Sequence, residues 1–205
     1  MPPKTIIFDL HGVIVHKQYL SMAWHLIKHS YRVDLAVRFM HPQSLKTIAH
    51  LLRTSRVPEQ YFYELVQLHP QLDPSWPLFI AFLNAQKSND AVIDIIRRLK
   101  QEGHRLILFS NIGEKTFAMF RTQFPHIASL FDHHITALAH DLWIQKPDVR
   151  AFNKCVQQLH LDPAECIFID NREENIIAGN AVGFSSICYH NAQQLEHELK
   201  IRSCL

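Results

Sequence analysis

The chain has 205 residues, 47% of them hydrophobic, and a formal net charge of +2 when histidine is neutral. That is enough apolar material for one sizeable core with a smaller subdomain inserted into it. Lysine and arginine are scattered rather than massed in a stripe, which argues against a nucleic-acid partner, and no apolar run approaches the roughly 20 residues of a membrane helix.

The N-terminus runs straight into a strand pattern without a signal-peptide pattern, so a cytoplasmic protein is expected. Cys155, Cys166, Cys188 and Cys204 show no CxxC pairing, which favours reduced thiols over a disulfide frame. The first element is Ile6, Ile7 and Phe8, a continuous apolar run suited to a strand covered on both faces. It ends at Asp9, and Gly12 follows as a turn residue. A carboxylate at the carboxyl end of a parallel strand sits where open α/β sheets bind ligands, although an aspartate there can also simply open a turn.

From residue 16 to about 88 the pattern is helical. Leu20, Trp24 and Ile27 recur at helical spacing, as do Leu45, Ile48, Leu51 and Leu52, and then Tyr61, Leu65 and Leu68. Pro42, Pro58, Pro70, Pro74 and Pro77 mark helix starts or connections. His25 and His29 share a helix face without an evident third metal ligand, which favours ordinary histidines over a zinc site. Trp24, Tyr61, Tyr63 and Trp76 either line a pocket or pack the module, and packing is the simpler expectation.

A strand–helix rhythm resumes at Asn89. Asn89 or Asp90 caps a helix carrying Val92, Ile95, Ile96 and Leu99, with Gly103 after its end. Arg105 to Phe109 forms a second buried strand ending in Ser110-Asn111, and Gly113 opens the helix of Phe117 and Phe120. A strand is expected within Phe131 to Leu138. Asp141 to Gln145 leads to Lys146-Pro147-Asp148, with the proline at a helix start, and the next helix carries Phe152, Val156 and Leu159. Cys166 to Ile169 is a strand ending in Asp170-Asn171, followed by a helix with Ile176 and Ile177 that stops at Gly183. Ser185 to Tyr189 gives a last strand, and Asn191 caps a closing helix. Alternation with right-handed crossovers predicts an α/β fold, a Rossmann-like doubly wound parallel sheet that brings Asp9, Ser110 and Asp170 to one edge.

Phe8-Asp9-Leu10-His11-Gly12-Val13, Ser110-Asn111, Lys146-Pro147 and Ile169-Asp170-Asn171, in this order, resemble the motifs of the haloacid dehalogenase-like hydrolase superfamily. Residues 1–15 and 89–205 resemble its core, and 16–88 the helical cap inserted into its phosphatase-rich branch. The resemblance implies a Mg²⁺-dependent hydrolase acting on a small phosphorylated molecule. Asp9 would attack phosphorus to give an aspartyl-phosphate, Mg²⁺ would lie between Asp9 and Asp170 with the His11 backbone carbonyl as a further ligand, and Lys146, Ser110 and Asn111 would bind the phosphate oxygens. Glu174, four residues beyond Asp170, is a candidate to reach the metal through water. Each group also has a plainer reading: Ser110-Asn111 and Asp170 as helix caps, Lys146 as a solvated lysine, and Glu174 as part of a solvated first turn.

The pattern departs from the family at His11, where phosphatases carry the aspartate that protonates the leaving group. Imidazole titrates near neutrality and can trade a proton in both half-reactions. Asn171 likewise replaces a further acid and lowers the negative charge available to hold metal. The alternatives are a degenerate member that binds a phosphorylated ligand or protein partner without turnover, and a metal-independent dehalogenase.

Overall fold

The computed structural model describes residues 3–17, 42, 86–136 and 144–205. Five parallel strands form its sheet in the order β5-β4-β1-β6-β7. These are β1 (Thr5–Phe8), β4 (Arg105–Ser110), β5 (His133–Thr136), β6 (Cys166–Asp170) and β7 (Ser185–Cys188). The central strand β1 is buried on both faces, with Ile6, Ile7 and Phe8 all at 0% exposure. Period-two alternation sends Ile6, Phe8, Leu106, Leu108, Ile167 and Ile169 into one apolar layer, and Ile7, Ile107, Phe109 and Phe168 into the other.

The first layer is covered by α1 (Asp90–Gln101), α2 (Glu114–Gln123), the short α3 (Pro125–Ala128) and α6 (Ala192–Ile201). The second is covered by α4 (Val149–Leu159) and α5 (Glu173–Ala181). Helices on both faces of a parallel sheet make the doubly wound α/β architecture expected from the strand–helix rhythm. In α1 the periodic residues Val92, Ile95, Ile96 and Leu99 are all buried. In α5 the neighbouring Ile177 is 63% exposed.

Several local expectations resolve differently. Asn89 stands at the N-cap of α1 but spends its amide on Val13 O (3.0 Å) and the Tyr189 hydroxyl (2.8 Å), tying the loop after β1 to the end of β7. Pro147 lies in a turn ahead of α4, and Asp148 caps that helix by accepting from the Arg150 N–H at 2.9 Å. Asn191 caps α6 as expected, accepting from Gln194 N–H at 2.9 Å.

A two-stranded antiparallel ribbon pairs β2 (Val15–Lys17) with β3 (Gln86–Ser88), so the segment between them departs and returns at adjacent points. Strand therefore occupies both ends of the stretch read as helical. Three-residue strands joined by a long insertion leave no periodicity to read. The helical patterns between Leu20 and Leu68, the pair His25 and His29, the aromatics Trp24, Tyr61, Tyr63 and Trp76, and Asp141 to Trp143 lie outside the described residues. Among the described residues no helix is long and apolar enough to cross a membrane, and the four cysteines are free.

Candidate active site

The carboxyl ends of β1, β4 and β6 meet at one edge because β1 pairs in parallel with both neighbours, Phe8 lying across from Leu108 and Ile169. One residue further, Asp9 and Asp170 converge on Lys146, whose Nζ is 2.7 Å from Asp9 Oδ1 and 2.7 Å from Asp170 Oδ2. All three are buried, with Lys146 at 1% and Asp170 at 0% exposure. The third ammonium donor goes to the Phe109 carbonyl at 2.8 Å. A lysine ammonium has three N–H bonds, so each is committed to a protein acceptor. Lys146 thus acts here as a charge between two acids, and a substrate oxygen gains an N–H from it only by displacing one of these partners.

Lys146 reaches this place because its backbone is clasped. Asn111 Nδ2 donates to Lys146 O at 2.6 Å while Asn111 Oδ1 accepts from Lys146 N–H at 2.9 Å. This two-bond amide pair consumes the Asn111 side chain and docks the loop before α4 on the end of β4. Ser110, the last residue of β4, is buried beside it. Neither residue caps α2, whose N-cap is Gly113.

The Asp170 carboxylate is held by three donors: Arg172 N–H on Oδ1 at 2.9 Å, and Lys146 Nζ and Asn175 Nδ2 on Oδ2, the latter at 2.9 Å. Asn175 is buried at 2% exposure in α5. Sequence reading passed over it, although a buried asparagine inside a short helix, a poor helix former in an apolar setting, is a signal of a specific polar task.

Burial pushes the Asp9 carboxyl up to about 6, with Asp170 adding to the rise and Lys146 opposing it. For Lys146, burial favours the neutral amine, but the charges of Asp9 and Asp170 outweigh it and hold the ammonium above the usual lysine range. Two acids against one base leave a net negative cluster that a cation would relieve.

His11 sits between the strand end and the ribbon, bridged to Val15, with its Nε2 3.1 Å from Gln86 Nε2 on β3. Gly12, at φ +94°, lies so close to Asn171 that a Cβ would meet its amide at 2.5 Å. The loop after β1 and the loop after β6 therefore interlock through this glycine. Glu174 is half-exposed and pairs with Arg172.

Among the described residues no group of three or more His, Cys, Asp and Glu side chains is placed to hold a metal ion on its own. The carboxylates of Asp9 and Asp170, both within 2.7 Å of the Lys146 ammonium, supply oxygen donors with excess negative charge. Mg²⁺ is commonly held by one or two carboxylates with water completing its shell, so the donor chemistry fits.

A buried carboxylate–lysine–carboxylate cluster thus lies at the carboxyl edge of a doubly wound sheet, the edge where such sheets bind ligands. The chain belongs to the haloacid dehalogenase-like hydrolase family, whose model matches residues 3–183. Among curated proteins it is similar to the sesquiterpene phosphatase astK of Aspergillus oryzae, 30% identical over 89 residues that span 43% of this chain and 44% of that protein. The match thus spans less than half the length of that relative. Its fold is shared with a family enzyme from Bacteroides thetaiotaomicron, an Asp-to-Ala mutant in complex with magnesium and inorganic phosphate (16% identity, 96% and 98% of the two chains, TM-score 0.66). It is also shared with L-2-haloacid dehalogenase from Xanthobacter autotrophicus (15% identity, 99% and 84%, TM-score 0.62).

Proposed function

We propose that this hydrolase cleaves a phosphate monoester of a small molecule, with Asp9 as nucleophile and Mg²⁺ as cofactor. The observation that carries the reading is the convergence of Asp9 and Asp170 on the Lys146 ammonium, each at 2.7 Å. Asp9 and Asp170, with the His11 carbonyl, would hold Mg²⁺, which when bound supplies charge neutralisation for the phosphoryl group. Asp9 Oδ attacks phosphorus, the ester oxygen departs with a proton, and water then cleaves the aspartyl-phosphate to free phosphate and the carboxylate. His11 moves the proton in both steps. Lys146 stabilises the ionised nucleophile through its fixed charge. Ser110 and the Asn111 backbone N–H donate to the phosphate oxygens, the Asn111 side chain being spent on Lys146. We assign substrate selection to the insertion between β2 and β3, and the departure and return of its ends at adjacent points supports this.

A second reading, ligand binding without turnover, is favoured by the histidine at position 11 and its contact with Gln86. A phosphate-release screen with and without Mg²⁺ on wild type, Asp9→Asn and His11→Asp separates the two. The hydrolase reading expects Mg²⁺-dependent release that vanishes in Asp9→Asn. Equal release by Asp9→Asn refutes it, and dehalogenation that survives chelation moves the chemistry to carbon–halogen bonds. No release by wild type together with release by His11→Asp favours the binding protein.

A further inference from the structure

Under the Lys146 ammonium lie two aromatic rings, Phe109 with its centroid 5.0 Å from Nζ and Phe168 at 5.3 Å. They come from the two strands that flank β1 and belong to the apolar layer opposite α1 and α6. Neither ring is free to turn away. Phe152 of α4 packs perpendicular to both at 5.3 Å, with interplanar angles of 84° and 90°, and Phe184 packs against both Phe168 and Phe152 at 6.2 Å. On α5, Gly179 leaves room for the Phe168 ring where a Cβ would come within 2.8 Å of its Cδ1.

We propose that Phe109 and Phe168 are positioning residues for Lys146: their ring faces form a dry, electron-rich floor under the ammonium and leave its N–H bonds only Asp9, Asp170 and the Phe109 carbonyl to meet. An ammonium on four flexible methylenes has no intrinsic preference for one direction. Water beneath it would compete for a donor and loosen one carboxylate. The aromatic floor excludes that water and attracts the cation through the ring quadrupole. The two acids are thereby held on a fixed charge. This placement concerns the same cluster as the proposed hydrolase, and the inference rests on that reading only where activity is measured.

The test is a fluorination series, which drains the ring quadrupole with little change in shape. Phenylalanine at 168, and separately at 109, is replaced by its mono-, di- and trifluoro analogues in the full chain, with Phe120, a core ring on the opposite face of the sheet, as the baseline. In urea unfolding, the folding equilibrium constant is expected to fall stepwise, about fivefold at the trifluoro ring beyond the Phe120 baseline. If the enzyme releases phosphate, kcat falls in the same order with KM nearly unchanged. Series at 109 and 168 no steeper than the baseline overturn the proposal. A steep stability series in a protein that releases no phosphate supports the aromatic floor while overturning the hydrolase reading.

Discussion

Replacing the proposed nucleophile by its neutral isostere should make the protein more stable above neutral pH. The carboxyl of Asp9 is raised from 3.8 to about 6, chiefly by burial and further by Asp170. Between those two values the folded protein holds a proton that the unfolded chain releases, so unfolding free energy falls as pH rises through this window and levels off above it. Stability is fully present below the unfolded value and lost through the folded one. A shift of this size at 1.36 kcal/mol per unit corresponds to about 3 kcal/mol. Asp9→Asn has no proton to lose, and its amide oxygen can still accept from Lys146. In urea unfolding with a chelator present, the two proteins should have similar stability near about pH 4 and diverge to about 3 kcal/mol in favour of Asp9→Asn near about pH 8. Titrating groups away from the cluster are common to both and cancel in the difference, and Lys146 keeps Asp170 as its partner in both. Parallel pH profiles, or a wild type that stays ahead at alkaline pH, would refute the assignment of Asp9 as a strained buried acid.

Asn175→Leu should weaken Mg²⁺ binding about 10-fold by calorimetry, because Asp170 loses a donor that orients it. Its melting temperature should hold or rise, since Asn175 Oδ1 is buried without a partner among the described residues and leucine removes it; unchanged Mg²⁺ affinity would show that Asn175 only packs. Gly12→Ala should destabilise by about 1–3 kcal/mol from its positive φ alone, and Asn171→Ala should relieve the collision at 2.5 Å without restoring full stability. His104 accepts from the Lys4 N–H at 3.0 Å through Nδ1 and contacts the Cys204 carbonyl at 3.0 Å through Nε2, joining both ends of the chain. His104→Phe should cost about 2 kcal/mol and speed hydrogen exchange at the Lys4 amide; slow exchange there would show that the tie is dispensable.

The sheet was legible because each core strand is a near-continuous apolar run ending in a polar residue, and such runs are what two-sided burial requires. Asp9, Ser110 and Asp170 were legible for the same reason, each marking the point where a buried strand stops. Lys146 was legible only through its place in a family-like motif, since a loop lysine carries no periodic signal. What sits around it was not. Phe109 and Phe168 read as ordinary strand residues, and only the register of β4 and β6 about β1 brings both rings beneath one ammonium. Asn111 read as a phosphate donor because spacing along the chain cannot reveal a partner 35 residues away. The ribbon pairing Val15–Lys17 with Gln86–Ser88 failed to register because Gln86, Lys87 and Ser88 lack the β-branched and aromatic residues that announce a strand.

The site puts two acids and one base in a place where burial disfavours every charge, and the rest of the fold explains why it persists. The strands on either side of Asp9 are apolar through Leu106–Phe109 and Cys166–Ile169, so Asp9 cannot swing into the layers of the sheet without displacing well-packed side chains. Asp170 is fixed by donors from its own turn and helix, and Lys146 by its backbone clasp to Asn111. Lys146 is therefore anchored through backbone atoms that take no part in the proposed chemistry, and Asp170 through donors independent of Asp9. That separation lets the Asp9 carboxylate change its bonding during a reaction while the other two hold their places. A site held only by its mutual ion pairs would rearrange as soon as one of those charges was consumed.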